Sequence, residues 1–178
     1  MKENYDACFA EVERWEGWHQ FSDDPYDPGG ATWCGLTQRA YNGWRRSHGF
    51  PIQSVHMASD QEIKDCFRES YWNPIRGDDL FSGLDMELFD ISINMGPVVA
   101  ARFLQQALHV RVDGWIGMET LGAMQKVADR EELLQAIFAM RMSFWHRLAT
   151  WWRYGVGWTN RGNGDLSAAL NLLRSSKN

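Results

Sequence analysis

Apolar residues recur at helical spacing in one segment of the chain after another, and each segment ends near a glycine or a proline. The first apolar stripe occupies residues 4–16 and stops at Gly17. Later stripes begin at residues typical of helix N-termini, namely Thr37, Ser59, Pro97 and Asp129. Between them, residues 18–37 are rich in glycine and proline and then alternate polar with apolar side chains. The sequence therefore predicts a mainly α fold of about seven helices with one small β-ribbon.

The last apolar stripe is the longest, running from Asp129 to Trp152. Glycines at 155 and 157 are expected to close this helix ahead of a short terminal one. Three tryptophans on the stripe are expected in the core: Trp145, Trp151 and Trp152.

A chain of 178 residues with 44% hydrophobic and 23% charged residues suits one compact domain. A soft boundary near residue 96 would divide it into 1–96 and 97–178. Residues 100–178 hold ten bases and six acids, whereas residues 1–99 hold eight bases and 17 acids. The excess of bases in residues 100–178 favours either binding to an anionic polymer or simply a solvated surface. Because no signal peptide or membrane span is evident, we expect a cytoplasmic location on synthesis and no stable membrane insertion.

The cysteines and histidines do not form a pattern that would hold a metal. Cys8, Cys34 and Cys66 are far apart in sequence, so we expect small buried apolar residues and neither disulfides nor a zinc site. The histidines are His19, His48, His56, His109 and His146. They lack the spacing of a metalloenzyme, and no phosphate loop or basic nucleic-acid motif is present. We expect no cofactor, no metal and no nucleic-acid partner.

Glu16 lies on the apolar stripe of the first helix, which is a costly place for a carboxylate. Removal of water raises the pKa of a glutamate, so this residue could hold a proton near neutral pH and act as a general acid. A glutamate that rotates into solvent at the helix end is an equal alternative from position alone. Hydrolysis of a glycosidic bond needs such an acid together with groups that hold water or stabilise an oxocarbenium-like centre.

Candidates for those supporting groups follow directly after Glu16. Asp27 precedes a Pro-Gly-Gly turn that leads to Thr32, and both Asp27 and Thr32 are candidate catalytic helpers. The alternatives are that Asp27 only forms the turn and that Thr32 only favours the strand. Asp24 suits a turn or a substrate contact. Gly30 would let the backbone approach a ligand closely.

Four segments of the chain resemble glycoside hydrolase family 108, the peptidoglycan N-acetylmuramidases. EGWHQFSDDPYDPGGATWCGLT at 16–37 is similar to that family's Glu-Gly-Gly, Asp-Pro-x-Asp-x-Gly-Gly and Thr-x-x-Gly-Ile-Thr pattern. The other three are FDISINMGP at 89–97, LQQALHVRVDGWIGMETL at 104–121 and GWTNR at 157–161. The resemblance covers residues 8–161 in the family's order.

The resemblance implies a lysozyme-like α-helical fold and hydrolysis of the β-1,4 bond between N-acetylmuramic acid and N-acetylglucosamine, with Glu16 as catalytic acid. It further implies a catalytic region at 1–96 and a peptidoglycan-binding-like region at 97–178 packed on it, or one single domain. Two residues depart from the family pattern: Trp18 replaces the second glycine of Glu-Gly-Gly, and Met95 replaces a small residue. The first departure puts substrate preference in doubt more than catalysis.

Further residues are candidates for holding the glycan. Trp18 and Trp33, with Trp15, cluster around the motif in sequence and suit stacking on sugar rings. Asn94 would hydrogen-bond an acetamido group, or would serve as a buried helix-terminal cap.

Three functional hypotheses follow for a monomeric protein whose partner is the peptidoglycan glycan strand. The first is a muramidase of the phage endolysin type, kept in the cytosol until a holin-type pore releases it to cause bacteriolysis. The second is a lytic transglycosylase that acts on the same bond with one acid. The third is a wall-binding module that does not cut.

Overall fold

The structure is a computed structural model that describes residues 4–15, 18–23 and 30–176. Within these ranges the chain forms eight α-helices and three short strands. The helices are α1 (Tyr5–Trp15), α2 (Gln38–Ser47), α3 (Asp60–Phe67), α4 (Leu84–Met95), α5 (Pro97–Ala107), α6 (Met118–Gln125), α7 (Arg130–His146) and α8 (Trp151–Ser175). The strands are β1 (Phe21–Ser22), β2 (Thr32–Trp33) and β3 (Leu36–Thr37). The predicted mainly α class with one small sheet is confirmed, and the architecture is consistent with a lysozyme-like fold.

The helix N-termini follow the capping residues that the sequence predicts. Thr37 accepts a hydrogen bond from the backbone N–H of Ala40 at the start of α2. Ser59 and Glu62 form a reciprocal capping box at the start of α3. Asp129 caps α7, and Pro97 occupies the first turn of α5. Local side chains therefore determine where these helices begin.

The chain divides into two compact units. One comprises Phe9–Ser70 and contains the three strands; we call it the sheet unit. The other comprises Met1–Cys8 and Tyr71–Asn178 and contains α4 to α8; we call it the helical unit. The boundaries between these units lie at other residues than 96. The predicted division of function at residue 96 stays a prediction.

The helical unit is built around α4, which contacts α5, α7 and α8. Every residue of α4 from Leu84 to Ser92 is buried, including three acidic ones. At one end of this core, Trp72 packs edge-on against Tyr5 and Phe89, with ring centroids 5.2 and 5.3 Å away. A central helix buried on all sides explains why the sequence of α4 shows only a weak amphipathic pattern.

The sheet unit has a smaller core, in which α1, α2 and α3 contribute one aromatic ring or more each. Phe9 of α1 packs edge-on against Phe67 of α3 at 5.5 Å. Tyr41 of α2 is fully buried and its hydroxyl accepts hydrogen bonds from Arg45 and Gln53. Side chains from three helices thus form the support on which the short strands lie.

The predicted course of the last helices is wrong. The helix that starts after Asp129 ends at His146, and α8 runs without interruption through Gly155, Gly157 and two further glycines. A Cβ on Gly155 would lie 2.6 Å from the Trp151 ring, and one on Gly162 would lie 3.1 Å from the Trp145 ring. The Gly155 contact is with a ring one turn earlier on α8, whereas the Gly162 contact is with a ring of α7. Packing at these two positions outweighs the cost of glycine in a helix, which is about 1 kcal/mol per residue.

The predicted burial of the cysteines is confirmed, and that of the tryptophans is confirmed only in part. Trp145 is buried as predicted, Trp151 is only half-buried, and Trp152 is 82% exposed, so the prediction that all three are core residues is wrong. Trp152 is the second residue of α8, and its side chain is exposed to solvent. The three cysteines are free and buried, as predicted: Cys8, Cys34 and Cys66. None of the described helices is long and apolar enough to cross a membrane.

Candidate active site

The three strands form an antiparallel sheet with β2 in the centre. Phe21 and Ser22 of β1 pair with Trp33 and Thr32 of β2, and β2 pairs on its other side with β3. The turn between β2 and β3 has two residues, Cys34 (φ 51°) and Gly35 (φ 75°). Positive φ at both positions is the requirement of the tight hairpin turn that matches strand twist. The short ribbon predicted within residues 18–37 is therefore present.

A cysteine fixes the segment that leads into this sheet. The Cys34 side chain is fully buried, and its Sγ accepts a hydrogen bond of 3.2 Å from the backbone N–H of His19. The Cys34 N–H in turn donates to the carbonyl of Gln20 at 3.2 Å. His19 itself has a left-handed backbone (φ 60°), which non-glycine residues adopt rarely. The residues before β1 are thus held by specific bonds to the β2–β3 turn.

Thr32 and Gly30 lie at the start of β2. The Thr32 hydroxyl is half-buried and donates to the carbonyl oxygen of Gly30 at 3.4 Å, so its lone pairs can still accept a hydrogen bond. Gly30 has φ +73°, a conformation that favours glycine. Their predicted roles in catalysis and substrate binding stay predictions.

The predicted acid and its two acidic neighbours lie outside the described residues. Glu16 follows Trp15, the last residue of α1, and Asp24 and Asp27 belong to the segment before Gly30. The structure describes residues on each side of both segments. The predicted roles of these three carboxylates stay predictions.

Five aromatic rings form a continuous row over the sheet, and we call them the aromatic row. Trp18 and His19 are 5.5 Å apart between ring centroids, and His19 stacks on Trp33 at 5.8 Å. Trp33 lies 4.7 Å from His56, which stacks on Phe21 at 4.9 Å. Exposed or half-buried rings in a row suit contact with the apolar faces of successive sugars.

The sequence indicated only two members of this row. Trp18 and Trp33 were expected to stack on sugars because they cluster around the acidic motif in sequence. His19, Phe21 and His56 were missed. Phe21 had a local signal, since it pairs with Trp33 in the ribbon. His56 had none, because a short 3-10 helix at Val55–Met57 brings it to the sheet from a distant part of the sequence.

Asn94 lies in the last turn of α4, in the helical unit. Its side-chain N–H₂ donates to the Asp90 carbonyl at 2.8 Å and to the Asp90 carboxylate at 3.2 Å. The residue is exposed, so the alternative of a buried cap is wrong. Its side-chain oxygen takes no part in either bond and is an acceptor of the kind that an acetamido N–H needs.

Behind Asn94, five charged side chains form a buried group that we call the charge cluster: Glu87, Asp90, Arg141, Arg161 and Asp165. Arg161 donates to Asp90 at 2.5 and 3.0 Å, and Arg141 donates to Asp90 and, at 3.2 Å, to Asp165. Helices α4, α7 and α8 each contribute to it. Asp90 and Arg161 belong to two of the family-like segments, which are thus joined by a buried ion pair.

The cluster separates the pKa values of its three carboxyls. Burial opposes charge on Asp90, but Arg141 and Arg161 hold its pKa well below the usual range. Burial, together with the negative charge of Asp90, raises the pKa of Asp165. Burial raises the pKa of Glu87 to about 7 despite the attraction of Arg141. Neither oxygen of Glu87 has a hydrogen-bond partner among the described residues, which agrees with a neutral acid.

The third family-like segment is organised by the buried side chain of Gln105. Its amide N–H₂ reaches Asp113 at 2.8 Å, the Trp115 carbonyl at 2.9 Å and Thr120 at 3.3 Å. Its oxygen accepts from the backbone N–H of Gly114 at 2.8 Å. The turn at Asp113–Gly114 is thus held in place by one glutamine. The residues of this motif stabilise a loop.

Two family models match the sequence. The model described as Glycosyl hydrolase 108 matches residues 9–96, and the one described as Predicted Peptidoglycan domain matches residues 99–163. The structure of Brucella abortus SagA is similar to this one with a TM-score of 0.84, at 33% sequence identity and over 98% of each chain. The chain belongs to glycosyl hydrolase family 108. None of the curated proteins matches it.

As a family 108 member with an adjoining peptidoglycan domain, the protein is a glycosyl hydrolase that acts on peptidoglycan. The aromatic row lies within the matched hydrolase region, and the Gln105 loop lies within the matched peptidoglycan region. The charge cluster draws residues from both regions. No group of three or more histidine, cysteine, aspartate or glutamate side chains in the described ranges is arranged to hold a metal ion.

Proposed function

We propose that the protein is an N-acetylmuramidase that cleaves the β-1,4 bond between N-acetylmuramic acid and N-acetylglucosamine, with Glu16 as the general acid. The observation that carries this proposal is the aromatic row beside Thr32. Trp33 and Thr32 are neighbours on β2, so a stacking surface and a hydroxyl that can accept a hydrogen bond occur together. Sugar binding and control of a water molecule both need such groups.

In the proposed reaction, Glu16 donates its proton to the glycosidic oxygen as the bond to the anomeric carbon breaks. The aromatic rings next to Glu16 in the sequence, Trp15 and Trp18, would reduce the access of water and favour its protonated form. Asp27 and Thr32 are proposed to place the attacking water or to stabilise the positive charge that develops on the sugar ring.

Substrate recognition is proposed to use the side chains that the sequence indicated. Trp18 and Trp33 would stack on sugar rings, and Asp24 and Gly30 would contact the strand through polar groups of the turn. Asn94 would accept a hydrogen bond from an acetamido group. Its fixed position supports this role, because two bonds to Asp90 already hold its amide N–H₂.

Analysis of the products tests the proposal directly. Peptidoglycan digested by the wild-type protein is reduced with borohydride, and the muropeptides are analysed by mass spectrometry. A muramidase leaves reducing N-acetylmuramic acid ends, which become muramitol. Reducing N-acetylglucosamine ends would contradict the assigned bond. Nonreducible 1,6-anhydro ends would instead establish the transglycosylase alternative, since that reaction adds no water.

The release of the protein through a holin-type pore, and hence an endolysin role in phage lysis, also stays a proposal. The protein can be expressed in the cytosol of a bacterial host with and without a holin, while culture turbidity is followed. We expect rapid lysis only with both proteins. Lysis of equal rate without the holin would contradict this route.

A further inference from the structure

The first half of α8 carries an open groove of about 290 Å³ that no part of the proposed chemistry uses. Ligand sites in proteins begin at about 300 Å³, so the groove has the size of a small one. Its lining residues are Trp151, Trp152, Gly155, Val156, Thr159 and Asn160. All of them belong to one described helix, and the groove is therefore a feature of the helical unit alone.

One side of the groove is apolar and open. Trp152 is 82% exposed, and Val156, one turn further along α8, is 79% exposed. A large aromatic ring at the surface next to a second apolar side chain is a common feature of binding sites. The buried residues of α8, such as Asp165 and Leu173, lie in other positions along the helix and account for its attachment to the unit.

The floor of the groove is held in place by packing. The Trp151 ring stacks on His146 with centroids 3.9 Å apart. On its other side the ring lies so close to Gly155 that a Cβ there would be only 2.6 Å from it. Glycine at this position therefore lets the indole lie against the helix backbone. Packing on both faces of the Trp151 ring thus fixes the floor of the groove.

The other side of the groove is polar. The Thr159 hydroxyl donates to the Gly155 carbonyl at 2.7 Å, so its lone pairs remain available as acceptors. Asn160 is exposed and offers both a donor and an acceptor. Aromatic faces, an amide and a hydroxyl together suit an N-acetylated sugar.

We propose that this groove is a glycan-binding site for peptidoglycan strands, in which a sugar ring stacks on Trp152 and its polar substituents bond to Thr159 and Asn160. The choice of ligand rests on the chemistry of the lining and on the match of residues 99–163, which include every lining residue, to the peptidoglycan domain. It does not depend on Glu16 or on which glycosidic bond is cut. The groove would keep the protein on the insoluble wall between cleavage events.

The proposal is tested with Trp152→Ala and with Met118→Ala, a matched control that removes another exposed apolar side chain of the helical unit. Binding to purified sacculi is measured by co-sedimentation in the cold. We expect Trp152→Ala to weaken binding about tenfold, as loss of a stacked aromatic ring would. Met118→Ala should leave it unchanged. Hydrolysis of short soluble muropeptides, measured separately, should be unaffected by Trp152→Ala, so failure of this proposal is distinguishable from failure of the proposed activity.

A second measurement identifies the ligand. The indole N–H signal of Trp152, assigned by its loss in Trp152→Ala, is followed by NMR as an N-acetylglucosamine tetramer is added. A saturable shift supports the proposal. Equal sacculus binding by wild type and Trp152→Ala would overturn it. The proposal is also overturned if Trp152→Ala abolishes only self-association in analytical ultracentrifugation, or only binding to phosphatidylglycerol vesicles.

Discussion

The aromatic row and the charge cluster are built in opposite ways. Two rings of the row, Phe21 and Trp33, lie on strands of two residues each, and all five rings are exposed or half-buried. The cluster is buried between three long helices, and most of its bonds join residues far apart in sequence. Segments that resemble the family contribute residues to both the row and the cluster. Segments shared with a hydrolase family can thus lie on an exposed aromatic surface or in a core that holds the helices together, and burial and bonding partners distinguish the two.

If the charge cluster stabilises the fold, removal of its central cation should have the largest effect on stability. Arg141→Met leaves Asp90 buried without one of its two arginine partners. Breaking a buried ion pair typically costs about 3–5 kcal/mol, and we expect that loss in the free energy of unfolding. Urea denaturation measures it.

The matched control is Arg174→Met, which removes an exposed pair with Glu131. An exposed pair contributes about 1 kcal/mol or less. Equal effects of the two variants would show that the cluster has no special role in stability.

The pH dependence of unfolding should reveal Glu87, the acid of the cluster whose oxygens have no hydrogen-bond partner among the described residues. Burial raises the pKa of Glu87 from 4.5 to about 7. Because the folded value is the higher one, the contribution of Glu87 to stability is complete below pH 4.5 and is lost as the pH rises through 7. The loss is roughly 3 kcal/mol at most.

Urea unfolding at pH 5 and pH 8 measures this effect for the wild type and for Glu87→Gln. The side chain of the variant does not titrate, so we expect a smaller difference between the two pH values. Burial and the charge of Asp90 also raise the pKa of Asp165, whose own loss of stabilisation with rising pH should persist in the variant. An unchanged difference between pH 5 and pH 8 would contradict the assignment to Glu87.

Two glycines of α8 should respond to alanine in opposite directions. Gly155→Ala places a Cβ against the Trp151 ring and should destabilise the protein by about 1–3 kcal/mol, as overpacking does. Gly157→Ala has nothing within 4 Å and should stabilise the helix by up to about 1 kcal/mol. Thermal unfolding compares them, and a stabilising Gly155→Ala would mean that Trp151 is not fixed as the structure has it.

The smallest effect is expected in the aromatic row. Trp33→Ala removes the ring between His19 and His56 and should raise KM about fivefold to tenfold with little change in kcat, because one stacked sugar ring is lost. Met57→Ala, which changes an exposed neighbour of His56, is the control. An unchanged KM for Trp33→Ala would contradict the assignment of the aromatic row to the substrate site.

Features determined by neighbouring residues were predictable from the sequence. The capping residues Thr37, Ser59 and Asp129 mark where their helices begin, and Pro97 starts α5. The short ribbon within residues 18–37 was also predicted, and the tight turn that closes it involves only the two residues Cys34 and Gly35. In each case the deciding interaction spans a few residues only.

Features determined by distant residues were not predictable. The glycines of α8 suggested a helix end, but Gly162 instead makes room for the Trp145 ring of α7, 17 residues earlier in the sequence. The partners of Arg141 are 24 and 51 residues away in sequence, so nothing local marks it as a core cation. His56 reaches the sheet for the same reason.

The central claim is that Glu16 is the acid of a glycosidase, and Glu16→Gln tests it most directly. The comparison variant is Glu13→Gln, which changes a half-buried glutamate one turn earlier on α1. With folding verified by circular dichroism, the rate of peptidoglycan clearance is measured for both. We expect a loss of at least about 100-fold for Glu16→Gln, as for removal of a general acid, and a nearly unchanged rate for Glu13→Gln. A folded Glu16→Gln protein that clears peptidoglycan at the wild-type rate would contradict the account.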